Sequence, residues 1–73
     1  MEVLGRLEGI QRFEIHGGPY ARLFFTLEGD AETVQQCQLP AEAFDQDLQV
    51  GDPIVLTMLL RTVMEIRHAP AAE

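Results

Sequence analysis

The sequence predicts an all-β domain: a small five-stranded barrel with one short helix between strands three and four. Three observations predict it. Apolar and polar residues alternate with a period of two along most of the chain. Turn-forming residues, glycine foremost, divide that alternation into segments of strand length. β-branched and aromatic residues concentrate inside those segments. The 73 residues leave room for one domain, read as residues 1–68 with a frayed tail over 69–73.

The first strand is expected over residues 2–15. Its odd positions include Val3, Leu7, Phe13 and Ile15, and its even positions Arg6, Glu8, Arg12 and Glu14. Leu4 and Ile10 break the pattern, and two glycines within one long strand predict a bend with a bulge near Gly9. His16, Gly17, Gly18 and Pro19 make the clearest turn. A second strand follows over 20–28, with Ala21, Leu23, Phe25 and Leu27 on one face and Tyr20, Arg22, Phe24 and Thr26 on the other. Gly29 and Asp30 turn the chain into a third strand over 33–39, where Cys37 and Leu39 share a face.

Residues 40–48 read as one or two helical turns, since Pro40 suits a first turn and Phe44 and Leu48 are four apart. Both side chains would plug the end of the barrel. Val50, Gly51, Asp52 and Pro53 return the chain to strand. Residues 54–68 read as two strands joined by a tight turn near Arg61 and Thr62, which lacks the usual glycine. One helix, or one long strand shared with a partner subunit, is the alternative for this stretch. The resulting order, with its bent first strand and inserted helix, resembles an OB-fold barrel, and an SH3-like barrel is the alternative. The resemblance is one of architecture and implies no function.

Composition excludes several chemistries. The chain has no serine, lysine, asparagine or tryptophan, so serine nucleophiles, Schiff-base lysines and phosphate-cradling P-loops are ruled out. Twelve acidic residues against five arginines give a net charge of −7, which opposes a nucleic-acid backbone. A single cysteine cannot form an internal disulfide, and the first residues read as no signal peptide. The longest nearly apolar run, over residues 53–60, is too short to span a membrane. A cytoplasmic protein without membrane contact is the expectation. A domain this small buries roughly 60% of its unfolded surface, so self-association into a homodimer is one route to further burial.

Tyr20, Arg22 and Phe24 form the candidate binding site, projecting together from the second strand away from the core stripe. Aromatics and arginine are enriched at protein interfaces, and the same types stack bases or sugars and meet phosphate. The plainer reading is packing beneath a loop. Cys37 reads as a small buried hydrophobe on the third strand rather than a nucleophile, because neither His16 nor His68 is near it in sequence. Asp45, Asp47 and Asp52 fail the calcium-loop register, since the sixth position from Asp45 is Val50. Asp45 and Asp47 read as solvated loop carboxylates. The groups Glu42, Asp45, Asp47 and Glu28, Asp30, Glu32 have nothing to place them in a cleft, and Gly17 and Gly18 belong to a turn. No catalytic residue, metal ligand or cofactor is assigned.

The expected function is therefore a non-enzymatic module for protein–protein interaction or self-association. The alternative is single-stranded nucleic-acid or oligosaccharide binding through the outer face of the second strand. That alternative requires Arg6, Arg12, Arg22 and Arg61 to gather around the aromatics. A thinner third reading is an acidic surface that occupies a basic partner.

Overall fold

The computed structural model describes residues 1–70. Five strands form: β1 (Glu2–Ile15), β2 (Gly18–Leu27), β3 (Asp30–Pro40), β4 (Pro53–Leu59) and β5 (Thr62–His68). They make one antiparallel sheet in the order β3-β2-β1-β4-β5. β1 is long enough to serve two neighbours. Glu2 to Arg6 pair with β4, and Gly5 to Ile15 pair with β2. Where the two pairings overlap, at Gly5, a Cβ would run into the Thr26 carbonyl and press on Leu56, so glycine alone permits the approach.

The bend expected in β1 is a bulge. Leu7 faces Phe25 and Gly9 faces Phe24, which leaves Glu8 as the extra residue. Its carboxylate is not idle. The Thr26 hydroxyl, in a residue 5% exposed, donates to Glu8 Oε2 at 2.9 Å, and Arg6 Nε donates to the same oxygen at 3.2 Å. These hydrogen bonds, Arg6's the stronger influence, hold the Glu8 carboxyl below its usual pKa. The bulge also inverts the alternation. Leu7 points to the core before it, Ile10 points to the core after it, and Phe13 is turned to the opposite face.

The core lies on one face of the sheet. Leu7, Ala21, Leu23, Phe25, Leu39, Ile54, Leu56 and Ile66 come from the strands, and Ala43, Phe44 and Leu48 from the β3–β4 segment. The helix expected over 40–48 shrinks to a single 3-10 turn, Ala41–Ala43. Pro40 (φ −72°, ψ 162°) and Phe44 (φ −147°, ψ 156°) are both extended, and no side chain caps the turn. Phe44 and Leu48 still enter the core, as their apolar character requires.

The expected barrel, OB-fold-like or SH3-like, does not form. β3 and β5 end the strand order, and no ladder joins them among the described residues. The β3–β4 segment supplies the physical reason, because it occupies the free edge of β5. Phe44 bridges Ile66, the Asp45 N–H donates to the Ile66 carbonyl at 3.3 Å, and the His68 N–H donates to Asp45 Oδ2 at 2.8 Å. A closing strand has no access to those groups. The protein is an open antiparallel sheet with a one-sided core.

Residues 54–68 do form two strands, but the tight turn sits at Leu60 and Arg61, one residue early. Leu60 takes the positive φ of 59° that a glycine would adopt freely, and it is 88% exposed. The β1–β2 turn has positive φ at both His16 (52°) and Gly17 (80°), which matches the strand twist. At the far end, the Ala69 N–H donates to the Pro53 carbonyl at 3.0 Å, and residues 71–73 of the expected tail lie outside the described residues. No helix among the described residues is long and apolar enough to cross a membrane.

Two substitutions check this account by denaturant unfolding. Leu60→Gly should stabilise the domain by about 0.5–1 kcal/mol, because the left-handed conformation costs leucine roughly 1–2 kcal/mol and glycine's entropy returns part of that. Gly5→Ala should destabilise it by more than about 1 kcal/mol through the Thr26 carbonyl clash. A Leu60→Gly variant less stable than the parent would refute the strain at the turn.

Candidate functional site

The sheet face opposite the core carries the candidate site. Cross-strand register builds it from three strands. Phe13 faces Tyr20, Gln11 faces Arg22 and Gly9 faces Phe24, while on the other flank Arg22 faces Gln38 and Phe24 faces Gln36. Tyr20, Arg22 and Phe24 therefore share one face, and their cross-strand neighbours extend it in both directions. Tyr20 and Phe24 are half-buried, and Arg22 is exposed.

The geometry is ordered by side-chain contacts. The Phe13 and Tyr20 rings stack with centroids 6.3 Å apart and planes at 21°. The Arg22 guanidinium carbon lies 6.0 Å above the Phe13 ring, within cation–π range. A Cβ at residue 9 would sit 3.3 Å from Phe24 Cδ1, so Gly9 leaves the bare backbone on which the Phe24 ring rests. A shallow cleft of about 290 Å³ adjoins Tyr20 and Phe13 and reaches Ala41, Phe44 and Gln46 of the β3–β4 segment.

Phe13 is the site residue that alternation misplaces. Counting odd positions from Val3 sends it inward with Leu7, and only the extra residue at Glu8 brings it out. The signal was present in Ile10, an apolar residue on the polar phase just past Gly9. Carrying the expected bulge through to the later positions would have found Phe13.

The arginines do not gather around these aromatics. Among the described residues, only Arg22 lies over them. Arg6 pairs with Glu8 at 3.2 Å, and Arg12 Nη2 donates to the Gln46 carbonyl at 2.9 Å. Arg61 lies at the β4–β5 turn, and Arg67 clamps the β3–β4 segment through Asp45 (3.2 Å) and the Glu42 carbonyl (2.8 Å). Cys37 is half-buried against the core, and burial pushes its thiol up to about 11, away from the thiolate a nucleophile requires. Among the described residues, no group of three His, Cys, Asp or Glu side chains is placed to hold a metal ion.

Asp45 and Asp47, read from sequence as solvated, and Asp52 each have a partner, although the Asp47 side chain remains 84% exposed. Asp45 binds Arg67 and the His68 N–H, and Asp52 Oδ2 accepts the Gln49 N–H at 2.9 Å. Asp47 Oδ1 lies 2.9 Å from His68 Nε2, and Asp52 Oδ2 lies 3.9 Å from His68 Nδ1. The Asp47 hydrogen bond, aided by the charges of Asp45 and Asp52, raises the His68 pKa above 6.5. The same bond is the leading cause that lowers the Asp47 carboxyl below 3.8.

No protein-family model, curated protein or solved structure matches the chain.

The sign of the His68 effect gives a test. A raised folded pKa means the imidazolium stabilises the fold fully below the unfolded value of 6.5, and that contribution disappears as pH rises through the folded value. The Tm of the parent should therefore fall as pH rises from below 6.5 to above the folded value, and a His68→Gln variant should lack that decrement. Equal pH profiles for the two proteins would refute the clamp.

Proposed function

We propose that the protein is a non-enzymatic interaction module that docks a protein partner, or a second copy of itself, through the face formed by Tyr20, Arg22 and Phe24. One observation carries this reading: an ordered aromatic–arginine cluster sits on the sheet face opposite the buried core. Tyrosine, arginine and phenylalanine are the types that dominate interface energetics when desolvated by a partner. The half-buried thiol, held protonated, supports a binding role over thiol catalysis. The lone cysteine also suits a reducing compartment, which supports the cytoplasm as the location.

The alternative, binding of single-stranded nucleic acid or oligosaccharide, has the stacking platform but not the cations. Four of the five arginines are engaged elsewhere or lie at the β4–β5 turn, and the net charge of −7 repels phosphate.

Affinity capture on the tagged chain with nuclease treatment, read by mass spectrometry beside a Phe24→Asp control, tests this reading. A partner that survives nuclease and is lost in the control is expected. The substitution should weaken binding by about 2 kcal/mol or more, as for an interface hot spot, while the circular dichroism spectrum is retained. Recovery abolished by nuclease would move the assignment to nucleic acid. Undiminished capture by a folded Phe24→Asp variant would refute the face.

A further inference from the structure

The two edges of the sheet are unequal. Hydrogen-bonding direction alternates along an antiparallel strand, so one fixed point sets the direction across the whole sheet. The Glu28 N–H donates to the Leu4 carbonyl, and Ile15 pairs with Gly18 across the two-residue turn. Both ends of β2 therefore agree that its even residues bond to β1 and its odd residues to β3. Through Leu23–Cys37 and Phe25–Gln35, the odd residues of β3 bond back to β2. The backbone groups of Gln36 and Gln38 are left pointing away from the sheet. The same count on the other side leaves Ile66 and His68 of β5 pointing outward, and those are the groups that Asp45 occupies. At β3 nothing among the described residues plays the part of Asp45.

A register irregularity interrupts the pairing of β3 with β2 between Asp30 and Gln35, but from Gln35 onward the open edge lacks the devices that usually guard one. Lysine is absent, no proline interrupts it before Pro40, and its charges, Asp30 and Glu32, are confined to its first three residues. From Gln35 to Pro40 the register with β2 is regular and the strand carries no charge.

We propose that this edge pairs with the same edge of a second copy of the chain, antiparallel and centred on Cys37, so that Gln36 of each copy lies opposite Gln38 of the other. Charge decides the direction. A parallel pair would set Asp30 against Asp30 and Glu32 against Glu32 at the strand spacing of about 4.8 Å. The antiparallel pair carries the two acidic ends to opposite ends of the interface. The occupant follows from the chemistry of the edge, which is its own complement: each glutamine amide both donates and accepts, and each outward backbone N–H meets an outward carbonyl of the partner strand. A two-fold axis perpendicular to the sheet keeps both outer faces on the same side. Arg22 and Phe24, which flank Gln38 and Gln36, are then continued by their counterparts in the second copy. The inference deepens the docking reading above and rests on it for the role of that face.

Sedimentation velocity on the full chain across a dilution series, with amide hydrogen exchange at each concentration, tests the proposal. A concentration-dependent dimer is expected, with the Gln36 and Gln38 amides exchanging more slowly as it forms. Gln36→Pro removes an outward N–H and should weaken association by more than about tenfold. If that variant loses its circular dichroism signal, the double variant Gln36→Lys with Gln38→Lys, which keeps the backbone and places like charges at the two-fold axis, should give the same loss. A monomer throughout the series, or a dimer unaffected by the edge variants, would overturn the proposal. A dimer that survives the edge variants and is lost with Phe24→Asp would overturn the edge and leave the docking face standing. A dimer lost with the edge variants, with Phe24→Asp keeping every partner, would do the reverse.

Discussion

The structure depends on one backbone constraint: β1 must hydrogen-bond two neighbours while changing direction between them. Gly5 allows the crowding where both neighbours are present, and the bulge at Glu8 turns the strand immediately afterwards. The bulged residue is fixed by Thr26 on the facing strand and by Arg6 beside it. An extra residue in a strand reverses the face of everything that follows. That reversal moves Ile10 into the core and Phe13 out onto the opposite face, so the candidate site exists because of the same distortion that lets β1 join the two halves of the sheet.

The β3–β4 segment is the second determinant. A sheet with a one-sided core must cover that core, and among the described residues the cover comes from the segment between β3 and β4. Phe44 and Leu48 supply the cover, and Arg12, Arg67 and His68 hold the segment down from β1 and β5. Part of the acidic excess that composition assigns to solubility is thereby used locally: Asp45, Asp47 and Asp52 each meet a specific donor or cation within the segment or on β5. By lying along β5 the segment also ends the sheet on that side. One edge is closed with side chains and backbone, the other is left open, and the exposed aromatic face adjoins the open one.

Much of this was legible in the residues. Alternation located all five strands, the glycines marked the bulge and the first turn, and Phe44 and Leu48 were identifiable as core residues within a connecting segment. The trio Tyr20, Arg22 and Phe24 followed from the same period, since β2 is regular where it pairs with β1 beyond the bulge. The reading failed where local pattern and long-range partner conflict. Pro40 followed by spaced apolar residues suits a helix, yet the backbone from Phe44 to Asp45 is drawn into extended pairing with Ile66, more than twenty residues away. Leu60 stands at a turn position that glycine would favour, so propensity displaced the turn by one residue.

By itself the amino-acid sequence determined that the chain forms β-strands, which face of β2 each residue takes, and the chemistry available: no serine, no lysine, one thiol and a surplus of carboxylates. Those properties follow from side-chain type and from periods of two, which neighbouring residues express without help. Tertiary structure alone decided that the sheet stays open, that the arginines are dispersed, and that β3 is the unguarded edge. Each of these depends on which backbone groups meet across the sheet, and that pairing is set by contacts far apart in the chain rather than by any local preference.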